Sequence, residues 1–141
     1  MKVKKAEIKD MLGKVMVSVE KSLNDKRGRP DDSLLFKTAD GKHYRLFHDQ
    51  DCCEEVYIES ITGDLSDLIG TPLLMAEEST SDKNPSDVTM KPRDEDDTFT
   101  WTFYKFATRK GYVDVRWYGE SNGYYSESVN FEEIKSIEEI A

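Results

Sequence analysis

The chain has 141 residues, 37% hydrophobic and 35% charged, enough for one core inside a hydrophilic surface. Its formal net charge of −9 argues against direct nucleic-acid binding, which needs clustered Lys and Arg on the phosphates. No apolar run approaches the roughly 20 residues of a membrane helix, and no apolar signal core follows the basic start Met1-Lys2-Val3-Lys4-Lys5.

Ile8, Met11 and Leu12 fall at i, i+3, i+4 before Gly13, which predicts a short amphipathic helix with a glycine cap. Val15 to Val19 reads as a strand and residues 21 to 33 as a polar loop. Leu34 to Lys37 and His43 to Phe47 flank Ala39-Asp40-Gly41 as a hairpin, and Val56 to Ile61 is a further strand. Leu65, Leu68 and Ile69 repeat the helical spacing before Gly70, and Pro72 forbids continuation. Pro72 to Ala76 is a strand. Trp101 to Thr108 and Tyr112 to Tyr118 form a second hairpin around Arg109-Lys110-Gly111. Ser126 to Phe131 is extended, and Glu132 to Ile140 is expected as a short acidic helix.

Charge is uneven. Residues 77 to 97 hold eight acidic and three basic side chains, a net −5, leaving −4 for the rest. With two prolines and few apolar residues, the segment reads as an acidic flexible loop, 78–99. It is a solvated loop or, toward a basic partner, a mimic of nucleic acid.

The two halves run in the same order, so the chain is read as one domain, 1–141, built on an internal repeat of 6–61 and 64–131. Asp10 matches Asp67, Gly13 matches Gly70, Glu20 matches Glu77, Phe36 matches Phe106 and Gly41 matches Gly111. The expected fold is α+β, mainly antiparallel β-sheet with short helices in two pseudo-symmetric halves; a partly closed barrel is the alternative. In the second hairpin, a two-residue Arg109-Lys110 turn sets Lys105 against Asp114, Phe103 against Arg116 and Trp101 against Tyr118. That register gives an ion pair, a cation–π pair and an aromatic pair on one face. Thr102, Tyr104 and Phe106 then join the valines in the core.

Two segments stand out as candidate functional surface. The first is Trp117-Tyr118-Gly119-Glu120-Ser121-Asn122-Gly123-Tyr124-Tyr125-Ser126-Glu127, a turn loaded with rings, an amide and carboxylates. The second is His48-Asp49-Gln50-Asp51-Cys52-Cys53-Glu54-Glu55. They nominate Tyr118, Asn122, Tyr124, Tyr125 and Glu127, with Asp49, Asp51 and Glu54, as ligand or partner contacts. Asn122 reads an amide or base edge, and Glu127 accepts from a donor. Alternatively, Tyr124 and Tyr125 straddle a strand start, one in the core and one outside.

No Cys-x-x-Cys or His-x-x-x-His spacing marks a metal site, and neighbouring strand residues point to opposite faces, so no metal ligand and no cofactor is assigned. A Cys–His dyad would need His43 or His48 beside Cys52 or Cys53. Otherwise a cysteine is a small core residue. Two adjacent cysteines make no disulfide framework, which suits a reducing cytoplasm. No phosphate-binding glycine loop or G-x-S-x-G is present, so nothing favours an enzyme.

The stretch 48–54, Gly63-Asp64-Leu65, Leu68-Ile69-Gly70-Thr71-Pro72, Met75-Ala76-Glu77-Glu78, Phe103 to Thr108 and 117–127 together resemble a small family of bacteriophage and prophage proteins. The resemblance spans roughly residues 8 to 130 and carries no assigned activity. It implies a viral origin and little else; with no apolar signal core after the basic start, the expected location is the cytoplasm of a bacterial host. The expected function is that of an accessory protein acting by binding, against a host defence protein or a nucleotide signal. The alternatives are a small hydrolase using Asp49, Asp51, Glu54 and Glu127, with or without a metal, and an assembly module that forms a homo-oligomer.

Overall fold

Period-two patterning builds nine strands and two 3-10 turns among the described residues of the computed structural model, which are 4–23, 32–89, 91–92 and 94–135. The strands are β1 Lys4–Lys5, β2 Met16–Ser22, β3 Ser33–Thr38, β4 His43–Phe47, β5 Glu55–Thr62, β6 Met75–Ser81, β7 Thr98–Thr108, β8 Gly111–Ser121 and β9 Asn130–Ile134. The fold is therefore mainly β, antiparallel with two short helical turns, which is roughly compatible with the α+β expectation. The amphipathic spacings form single turns, Ile8–Met11 and Leu65–Leu68. Gly13 and Gly70, both at positive φ, end them. Each glycine then donates its N–H to the opposite half: Gly13 to the Leu73 carbonyl at 2.8 Å, and Gly70 to the Met16 carbonyl at 3.0 Å.

Two antiparallel sheets result, ordered β1-β9-β4-β3-β2 and β5-β8-β7-β6. The chain runs the meander β2-β3-β4, crosses to the other sheet and adds β5 beside β8. It then runs β6-β7-β8, crosses back and adds β9 beside β4. The sheets meet over a shared core, where Phe36 and Phe106 lie 5.4 Å apart. Isolated bridges, Val15 to Pro72 and Met16 to Ile69, join them along one side.

The second hairpin has the two-residue turn and the register expected from its charges: Trp101 opposes Tyr118, Phe103 opposes Arg116, and Lys105 opposes Asp114. Thr102, Tyr104 and Phe106 are buried. The cation–π partner differs, however. Arg116 lies 5.4 Å over Trp101, because Glu59 and Asp87 both draw its guanidinium, at 2.7 Å and 3.1 Å.

Three expected boundaries are corrected. The loop is not 78–99: Met75–Ser81 pairs with β7 as an edge strand, which needs backbone partners but few apolar side chains, and β7 begins at Thr98. Nor is the remainder a free loop. Trp101, fully buried on the sheet's outer face, donates its indole N–H to Asn84 at 2.9 Å, and Asp87 holds Arg116. Residues 132–134 continue β9, paired to β4, instead of starting a helix; the rest of that helix lies outside the described residues. Part of the expected loop 21–33, residues 24–31, lies outside them as well.

Candidate functional site

The two singled-out segments lie at the two crossovers, the second of them starting within the end of β8. Loop 48–54 joins β4 to β5, and 122–129 joins β8 to β9. They touch: His48 Nδ1 donates to the Ser128 carbonyl at 2.7 Å, and the Asp49 N–H donates to Asn130 Oδ1 at 2.9 Å. Both close in the same way. A side chain at the start bonds a carboxylate six residues on: His48, the first residue after β4, to Glu54 at 2.7 Å, and Ser121, the last of β8, to Glu127 at 2.5 Å.

In the first crossover the carboxylate is wholly internal. Glu54 is 0% exposed, and its oxygens take the N–H of Asp51 at 2.8 Å, the N–H of Cys52 at 3.0 Å and the His48 ring. Burial pushes its pKa up, but those donors outweigh burial and hold it at about 2. Both His48 nitrogens are engaged, Nδ1 with the Ser128 carbonyl and Nε2 with this carboxylate, so the ring is held from both sides. Gln50 ties the loop further, donating to the Glu54 and Cys52 carbonyls at 2.8 Å and 3.3 Å.

The cysteines depart from expectation. Cys52 and Cys53 are joined to each other as a vicinal disulfide, and neither is a core residue; Cys52 is half-buried and Cys53 exposed. The Cys–His dyad is accordingly replaced by the His48–Glu54 pair. Asp49 and Asp51 point outward, whereas Glu54 is sealed and reaches no surface. Among the described residues no three His, Cys, Asp or Glu side chains gather as they would round a metal ion. Nor is any helix there long and apolar enough to cross a membrane.

The second crossover is open. Asn122 caps a tight turn by accepting the Tyr124 N–H at 3.0 Å, and Gly123 takes φ +93. This lifts Tyr124 to 89% exposure, while Tyr125 turns half-buried onto a groove. That groove, about 540 Å³, runs along the inner face of β7 and β6. Glu127 sits in it. Thr98 and Ser121 donate to its Oε2, each at 2.5 Å, and Thr100 donates to its Oε1 at 2.7 Å. Across the groove Glu78 accepts from the Tyr104 hydroxyl at 2.6 Å. Burial, then Glu78, raises the Tyr104 pKa, so this phenol keeps the proton that it donates to Glu78. Crossover and sheet come this close because residue 119 is glycine: a Cβ there would stand 2.8 Å from the Glu127 carbonyl oxygen.

Tyr118 does not join this groove. It lies buried on the outer face of its sheet, 4.9 Å from the Trp101 ring, and donates to Glu120 at 2.8 Å. The nominated residues therefore separate: Tyr125 and Glu127 line the groove, Asn122 and Tyr124 belong to the turn before it, Asp49, Asp51 and Glu54 lie on the first crossover, and Tyr118 is on the outer face. Sequence reading missed Thr98, Thr100, Ser121 and Glu78. The signal was present, since Thr98, Thr100 and Thr102 alternate on the face that farther along carries Tyr104 and Phe106. A polar end to a core face marks an opening between sheets.

No curated protein and no solved structure matches the chain. A domain family described as a domain of unknown function, DUF7448, matches residues 9–131. The match takes in both meanders and both crossovers, and the chain belongs to the DUF7448 family.

Proposed function

We propose that this is a bacteriophage accessory protein that acts by binding in the cytoplasm of its bacterial host, where it blocks a protein of a host defence system. One observation carries the reading. The second crossover places a nearly bare tyrosine, Tyr124, on a hydrogen-bonded turn directly beside the groove that holds Glu127. A large ring held out by a rigid turn loses little entropy on binding, which is the property of an interface anchor. The viral origin rests on the sequence resemblance. The like strand orders and the two i, i+6 closures support a duplicated unit, 6–61 and 64–131, whose crossovers sit at equivalent places. A protein target fits better than a nucleotide signal, because Glu78 and Glu127 would repel phosphates at the groove.

The test is phage plating on hosts carrying single defence systems, with and without the expressed chain. Restored plating by the wild type, and its loss in Tyr124→Ala, is expected. Failure to restore plating on any such host would overturn the reading, and tight binding of a nucleotide second messenger would replace the protein target.

A further inference from the structure

The two crossovers close alike but differ in what meets the carboxylate. In the first, Glu54 is sealed by two backbone N–H groups and the His48 ring. In the second, the matching position is Ser121, so among the described residues Glu127 meets three hydroxyls and no basic side chain. No Lys, Arg or His among the described residues lines its groove. A carboxylate accepts about four hydrogen bonds, and Glu127 takes three from the described residues, which leave one acceptor site on Oε1 open. The hydroxyls and Gly119 fix its orientation in advance, and Glu78 adds a second negative charge to the same walls. Tyr125 presents a ring there, which suits a flat cation.

We infer that the Glu127 groove binds a cationic side chain of the partner, a guanidinium above all, which supplies to Glu127 the nitrogen donor that the His48 ring supplies to Glu54 within the chain. The inference rests on the reading of the second crossover as a binding surface, and it names the chemistry of the partner's anchor. The net charge of −9 favours a basic partner and draws it in.

The probe is N-acetyl-arginine-N-methylamide, titrated into the full chain by amide NMR, with the citrulline analogue as its uncharged isostere. Saturable shifts at Thr98, Thr100, Tyr125 and Glu127 are expected with arginine, and affinity about tenfold lower with citrulline. Glu127→Gln should lose about the same factor. Ser121→His puts a ring donor beside Glu127, as His48 stands beside Glu54, and should also weaken binding while keeping a folded spectrum. Equal response to citrulline, or shifts confined to Asp94 to Asp97, would overturn the inference. If arginine leaves the groove unmoved while the chain still restores plating, the cation pocket is wrong and the binding reading stands. If arginine binds the groove but plating is not restored, the pocket stands and the defence reading falls.

Discussion

His48 Nε2 stands 2.7 Å from Glu54 Oε2, and both side chains are shut away from water at the point where the chain first changes sheets. Breaking a buried pair from one side leaves a charge without a partner, which typically costs roughly 3–5 kcal/mol. Glu54→Gln and His48→Ala should each destabilise on that scale. The double variant should fall well short of the sum, because the second change removes the buried polar group stranded by the first. Chemical denaturation of the four proteins checks this; additive losses would mean the pair is not coupled.

Acid should act through the same carboxylate. The folded state holds Glu54 at about 2, below its ordinary 4.5, so the folded form binds its proton more weakly than the unfolded chain. The stability it contributes is therefore complete above about 4.5 and drains away as pH falls toward 2. Denaturation of the wild type should weaken through that window more steeply than that of Glu54→Gln. Parallel curves would refute the assignment.

Gly119→Ala tests how the second crossover seats. The added methyl meets the Glu127 carbonyl oxygen at 2.8 Å and its Cβ at 3.0 Å. Overpacking of this kind costs about 1–3 kcal/mol. Loss of stability should come with loss of the arginine response, since the backbone of Glu127 is what must move. An unchanged NMR spectrum around 125–129 would show that the approach is looser.

Arg116→Ala should release the acidic segment from the outer face. Asp87 and Glu59 lose their shared partner there, and Trp101 loses part of its cover. Limited proteolysis should cut faster between 82 and 97, with tryptophan emission shifted to the red. Unchanged cleavage would mean that the Asn84 bond to Trp101 suffices to hold the segment.

Reduction of the Cys52–Cys53 bond should be felt locally. A ring closed between neighbours restricts the unfolded chain little, worth about 1 kcal/mol. The Cys52 N–H, however, is one of the donors on Glu54. Hydrogen exchange after dithiol treatment should quicken at Asp51 and Cys52 and leave the β7–β8 ladder protected. Global loosening would contradict this.

Local signals in the sequence determined a good deal. Alternation and opposite charges specified the β7–β8 register to the residue. The glycines after Met11 and Leu68 marked where each turn ends, and the odd composition of 48–54 and 117–127 marked the crossovers. Period-two alternation decides the face a side chain takes, yet it says nothing of which strand lies alongside. Only the tertiary structure decided that β5 leaves its own meander for β8 and β9 returns to β4. That exchange brings Ser128 to His48, and it carries Glu127 onto Thr98 and Thr100, 29 and 27 residues away. Whether a glutamate is sealed, as Glu54 is, or open, as Glu127 is, depends on such distant neighbours, because a charge is neutralised by whatever the fold sets within a few ångströms of it.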